Sequence, residues 1–178
     1  MFIVYAVPVG LIAGLLLGGR IGALAGLRIR WAWLAVAGFV VQLAIYTMQV
    51  GNLLGDAVPI VYVLSNVAVL AAVLRNLALP GMAVIAVGAV CNLAAIIANG
   101  GYMPADPGAI AAAGVDTSGP TNSIVVADPA LRFLTDIFAI PAAIPLANVF
   151  SFGDVLIGIG VATVIAVAMR ADPEPAAA

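Results

Sequence analysis

Five runs of apolar residues, roughly 2–19, 31–50, 57–74, 80–98 and 153–170, constrain the fold of this chain more than any other feature. Each approaches the ~20 residues that an α-helix needs to cross a hydrocarbon layer of about 30 Å. Membrane-crossing strands would have to close into a barrel and alternate apolar with polar residues, and that period of two is missing. The expected class is all-α: a polytopic transmembrane bundle of about five helices, forming a single integral membrane domain over residues 1–178. Composition agrees, with 65% hydrophobic and 8% charged residues and a mean hydropathy of +1.25, against about one quarter charged in soluble domains.

The chain contains no His and no Lys, and Cys91 is its single cysteine. Histidine-based metal sites, Ser/His/Asp or Cys/His catalysis and an intramolecular disulfide are thereby excluded, so neither a metal nor a cofactor is expected. Cys91 reads as a small apolar filler in mid-span. A net charge of −2 without basic clusters makes neither nucleic acid nor a strongly anionic membrane surface an obvious partner. No charged residue lies deep in the first four runs, which argues against a proton pump or ion-coupled transporter.

Orientation follows from the arginines. Arg20, Arg28 and Arg30 lie between the first and second runs, Arg75 between the third and fourth, and Arg170 after the fifth, whereas Arg132 alone falls on the other side. The positive-inside rule then places the N-terminus outside and the C-terminus in the cytoplasm, with residues 99–152 outward. Trp31 and Trp33 fit an interfacial anchor beside Arg28 and Arg30. Ala23-Leu24-Ala25 resembles a signal-peptide cleavage site, but Met1–Tyr5 lacks a basic residue, so the first run is expected to be retained.

Gly10, Gly14, Gly18, Gly22 and Gly26 recur every fourth residue, as a helical stripe that admits another backbone closely. It serves either the chain's own bundle or, through Gly10, Gly14 and Gly18, a partner membrane protein or second copy. Gln42, Tyr46 and Gln49 on one face of the second run, with Asn66 and Asn92, are suited to interhelical hydrogen bonds.

Residues 104–127 carry turn formers, Asp106-Pro107-Gly108, Thr117-Ser118-Gly119-Pro120 and Thr121-Asn122-Ser123, and read as an external loop. Asp128-Pro129 supplies an N-cap followed by proline at the first helical position, predicting a short interfacial helix to about Ile140, ended by Pro141 and Pro145. From there to Phe152 the chain should be extended or re-entrant.

The candidate functional residues lie in this outward segment. Asp136 and Asp154 could converge as an acid and a base for hydrolysis of a substrate at the outer leaflet. Equally, Arg132 and Asp136 are four apart and could pair on a helix, and Ser151 with Asp154 matches a capping box. Asn99, Gly100, Gly101 and Tyr102 form either a helix C-cap or a loop whose backbone N–H groups receive a ligand.

Three blocks, Asn99-Gly100-Gly101-Tyr102-Met103-Pro104, Thr135-Asp136-Ile137-Phe138 with Pro141, and Asn148-Val149-Phe150-Ser151 leading to Gly153-Asp154, resemble a family of small bacterial membrane proteins classed as a domain of unknown function. That resemblance implies a bacterial cytoplasmic membrane location. A weaker similarity to lipoprotein signal peptidase, an aspartic membrane protease, implies catalytic roles for Asp136 and Asp154, with Asn99 and Gly101 orienting substrate. The leading expectation is a non-catalytic accessory or binding subunit whose outward cap contacts a membrane lipid, peptide or partner protein. An aspartate-dyad hydrolase is the alternative.

Overall fold

A computed structural model describes residues 3–115 and 123–171. Thr117-Ser118-Gly119-Pro120 and Thr121-Asn122 lie outside the described residues. Five apolar helices occupy the five expected runs: α1 (Ile3–Leu16), α2 (Ala32–Ile45), α4 (Val58–Leu74), α5 (Met82–Ala98) and α7 (Phe152–Ala168). Two shorter helices, α3 (Met48–Leu54) and α6 (Pro107–Ala113), complete the helical set. The continuous stretch Gln49–Leu74 is long and apolar enough to cross a membrane by length and composition, and the other four are shorter apolar helices.

The run at 31–50 is broken because Thr47 intervenes. Its hydroxyl donates to the Ala44 carbonyl and accepts from the Val50 N–H, ending α2 and capping α3. Gln42, Tyr46 and Gln49 therefore do not share one helix face, and among the described residues neither glutamine makes a hydrogen bond. Asn66 bonds the Tyr62 carbonyl of its own helix. Only Asn92 makes the expected interhelical bonds.

The principal contacts run in the order α2, α4, α5, α7, α1, so α1 and α2, consecutive in sequence, stand at opposite edges. The tightest crossing joins α5 to α7. A Cβ on Gly88 would lie 2.5 Å from the Gly153 carbonyl oxygen, and one on Gly160 2.7 Å from that of Gly81. Because each pair is seven residues from the next, two helical turns of contact repeat on one face. At the α1–α7 crossing, a Cβ on Gly10 would meet Ala162 at 2.9 Å, and Gly14 faces Met169. The glycine stripe is thus used inside the chain by its first two members. Gly18, at φ +80, lies beyond the end of α1, and Gly22 and Gly26 belong to a 3₁₀ turn (Ile21–Gly26), so the stripe does not continue.

The outer flanks of these helices stay apolar: Leu16, Val36, Leu43, Leu53, Ile60 and Leu64 are all exposed. A helix apolar all round belongs in a core or in lipid rather than at a water-facing surface.

At one end of the bundle, the Arg20 N–H donates to the Met169 carbonyl at 2.7 Å, and Asn76 brackets the backbone of Arg30. These bonds gather the connection after α1, the end of α4 and the end of α7, and with them Arg20, Arg28, Arg30, Arg75 and Arg170. At the opposite end the Tyr5 hydroxyl donates to the Pro145 carbonyl, joining the start of α1 to the segment between α5 and α7.

That segment, the lid, is not the helix-and-loop expected. β1 (Met103–Pro104) pairs in parallel with β2 (Ser123–Ile124), and β3 (Phe138–Ile140) pairs antiparallel with β4 (Asn148–Phe150) in register Phe138 to Phe150 and Ile140 to Asn148. The architecture is therefore mostly helical with two small sheets. The short helix also sits elsewhere: Asp106, not Asp128, accepts from the Gly108 and Ala109 N–H groups and caps α6, with Pro107 in its first turn. Residues after Asp128 form a turn and a 3₁₀ segment (Arg132–Leu134) instead.

Candidate functional site

The lid begins where α5 stops. Gly100 and Gly101 adopt φ +72 and +89, the Gly101 N–H donates to the Ile96 carbonyl at 2.8 Å and the Gly100 N–H to that of Ile97 at 3.3 Å. This pair of bonds is a Schellman cap, which consumes backbone groups that a ligand-binding loop would have offered. Gly101 lies so close to Pro59 of α4 that a Cβ there would stand 2.5 Å away. Tyr102 is half-buried beside it.

Asn99 has a second function. Its Nδ2 donates to the Ala95 carbonyl of its own helix and to the Ala130 carbonyl, and its Oδ1 accepts from the Ala130 N–H, at 2.8–2.9 Å. Ala130 is thereby held as a strand neighbour would hold it, and the 128–140 segment that follows is not an α-helix.

Arg132 consequently does not meet Asp136. With Thr135 extended after the 3₁₀ segment, the four-residue helical spacing is absent, and the Arg132 guanidinium instead pairs with Asp106 at 3.3 Å on the exposed side of α6. Hydrogen bonds from Ala109 and Gly108, together with Arg132, hold the Asp106 carboxyl below its ordinary value. Asp136 is buried, its N–H donating to the Pro104 carbonyl and its own carbonyl accepting from the Asp106 N–H, both at 3.0 Å. Thr135 beside it is also buried and donates to the Arg132 carbonyl.

Asp154 belongs to a different arrangement. Ser151 and Asp154 form a reciprocal capping box at the start of α7: the Asp154 N–H donates to the Ser151 hydroxyl at 3.0 Å, and the Ser151 N–H to Asp154 Oδ2 at 3.1 Å. Asn92 of α5 closes the circle, its Nδ2 donating to Asp154 Oδ1 and its Oδ1 accepting from the Ser151 hydroxyl, both at 2.8 Å. Both carboxylate oxygens are engaged, and Ser151 is fully buried. Two of the carboxylate's acceptor positions are thereby committed to holding the start of α7. Asn92 was anticipated as an interhelical donor, but the sequence gives no sign that its partners lie 59 and 62 residues away.

Asn148 pairs with Ile140 as a β4 residue, next to the stacked rings of Phe138 and Phe150 at 5.4 Å. Among the described residues Asn99, Asp106, Arg132, Thr135 and Ser151 bond within the chain, while the lid surface presents Leu131, Phe133, Phe138, Ile144 and Leu146. Leu131 and Leu146 do so from φ +52 and +60, a region that non-glycine residues avoid. Sequence reading missed this apolar surface because isolated Leu and Phe residues in a loop carry no periodic signal.

The model of a family of unknown function, DUF5317, matches residues 26–166. The chain belongs to this family. The DUF5317 match takes in α2 through nearly all of α7 and the whole lid, including both clasping asparagines and the Asn92–Ser151–Asp154 circle, and omits α1. No curated protein and no solved structure matches the chain.

Proposed function

We propose that this DUF5317 protein is a multi-pass protein of the cytoplasmic membrane, with its arginine-bearing end inside, and that the lid is a non-catalytic docking surface for a partner membrane protein. The observation that carries the reading is the group of exposed apolar side chains, Leu131, Phe133 and Leu146 foremost, on the lid. Left-handed leucines cost about 1–2 kcal/mol each, and backbone strain of this kind concentrates at contact sites. Isolation in mild detergent is expected to recover a stoichiometric partner that is lost when Leu131, Phe133 and Leu146 are changed together to Ser and retained when Leu43 and Ile60 are. A clean monomer from wild-type cells, or retention of lipid alone, overturns the reading.

Hydrolysis by Asp136 and Asp154 is the second reading, favoured by the burial of Asp136 in a chain with few charges. Its support is weaker, because each Asp154 oxygen already accepts a hydrogen bond that holds the start of α7. Asp136→Asn and Asp154→Asn would both abolish turnover if the two form a dyad, whereas a purely structural role leaves only altered stability.

A further inference from the structure

The arginine-bearing end contains a feature that the lid reading does not use. The connection from α1 to α2 passes beneath α5 and α7, where Leu27 packs with Met82, Ile85 and Val164. Beside it lies a pocket of about 700 Å³ bounded by Gly22, Gly26, Arg28, Leu79, Val164 and Val167. Side chains built on Gly22 and Gly26 would enter open space, so these glycines leave room rather than permit close packing.

Val167 of this pocket also lines a second cavity, a groove of about 510 Å³ between α1 and α7. Ala6, Val9, Ala13, Ile159 and Ala162 wall that groove. Its two hydroxyls are already committed, Tyr5 to the Pro145 carbonyl and Thr163 to that of Ile159, so it offers contact only to an apolar chain. From Val155 to Val167 the groove follows α7 for roughly 18 Å at 1.5 Å per residue, comparable with one leaflet of a hydrocarbon core about 30 Å thick.

Charge selects the other half of the occupant. Among the described residues Arg28 makes no hydrogen bond or ion pair through its guanidinium, and Arg20, Arg30, Arg75 and Arg170 share its end of the bundle. The described carboxylates, Asp56, Asp106, Asp128, Asp136 and Asp154, all lie toward the lid. A guanidinium that lines the pocket and has no ion pair among the described residues matches a phosphate joined to hydrocarbon.

We infer that the pocket and groove together hold one anionic phospholipid, its phosphate on Arg28 and an acyl chain between α1 and α7. This rests on the membrane placement proposed above but not on the docking role of the lid. Retention in the membrane fraction after an alkaline wash tests that placement separately.

Native mass spectrometry of the full chain in mild detergent, with added phosphatidylglycerol, phosphatidylcholine of the same chains, or inorganic phosphate, tests the inference. Wild type is expected to bind one phosphatidylglycerol in preference to phosphatidylcholine, and inorganic phosphate not measurably. Arg28→Gln should weaken phosphatidylglycerol binding about five-fold, as expected for one arginine near an anionic surface, and bring the two lipids level. Gly26→Leu should reduce both lipids by filling the pocket, whereas Arg132→Gln at the opposite end should change neither. Equal binding of the two lipids by wild type overturns the inference even if a variant fails to fold, and so does unchanged binding in a folded Gly26→Leu protein. Phosphate binding as tight as that of the lipid would assign the site to a soluble anion instead.

Discussion

Asn76 and Asn99 solve the same problem at opposite ends of the bundle. Each stands at the end of a long apolar helix, donates to the carbonyl four residues earlier, and brackets the backbone of a distant residue, Arg30 or Ala130. An amide is required, since one group must donate and accept at once. Asn99→Ala is expected to lower stability by about 3 kcal/mol, from three hydrogen bonds worth about 1 kcal/mol each. Asn99→Asp, nearly isosteric, should cost more because it sets a carboxylate against two carbonyls, and thermal unfolding in detergent would rank the pair. Asp106 makes a prediction of opposite chemistry. Its carboxyl is held below the ordinary value of 3.8, chiefly by the Ala109 N–H, so its contribution is present above that value and is lost as pH falls through the lowered one. The stability difference between wild type and Asp106→Asn should therefore be constant near neutral pH and shrink below about pH 4. A difference that grew on acidification would contradict this assignment.

Elements were legible in the sequence where one kind of force decides them. The five apolar runs reappear as α1, α2, α4, α5 and α7 because their composition leaves no competing arrangement. The capping box at Ser151 and Asp154 was equally readable, being local. The two Asp-Pro signals were not. Asp106-Pro107 is followed by Gly-Ala-Ile-Ala-Ala-Ala, mostly good helix formers, while Asp128-Pro129 leads to Thr135, Ile137 and Phe138, which favour extended backbone in a segment that pairs with Pro104 and with β4. Tertiary pairing decided between them, and such pairing leaves no trace at short range. The glycine stripe failed as a continuous element for a similar reason, since Gly10 and Gly14 face α7 but Gly22 faces open space. Substitutions should report that difference. Gly88→Ala and Gly160→Ala are each expected to destabilise by about 1–3 kcal/mol through overpacking. Gly153→Ala should be the most damaging, because its Cβ would strike the Asn92 amide and open the Asn92–Ser151–Asp154 circle. Gly22→Ala should be neutral, and a loss there equal to that at Gly88 would refute the packing scheme.

At the scale of the whole bundle, the charges of the described residues divide into two camps. Arg20, Arg28, Arg30, Arg75 and Arg170 occupy one end, and Arg132 stands with the described aspartates at the other. The hydrogen bonds that assemble the arginine end, Arg20 to Met169 and Asn76 to Arg30, are made by backbone or amide groups and use none of those guanidiniums. Five positive residues against one should give the chain a single orientation, with the lid outward. In a Cys91→Ala background, a cysteine placed at Phe133, exposed on the lid, is expected to react with an impermeant maleimide in intact cells, while one at Gly26 should react only after permeabilisation. Changing Arg28, Arg30 and Arg75 together to Gln removes most of the bias, so a fraction of molecules should then label at the Gly26 position from outside. Labelling of Gly26 in the unaltered arginine background would reverse the orientation, placing the lid in the cytoplasm and the basic pocket in the outer leaflet. Because the lipid inference depends on the leaflet that carries anionic headgroups and the docking inference on the compartment the lid faces, this one measurement constrains both.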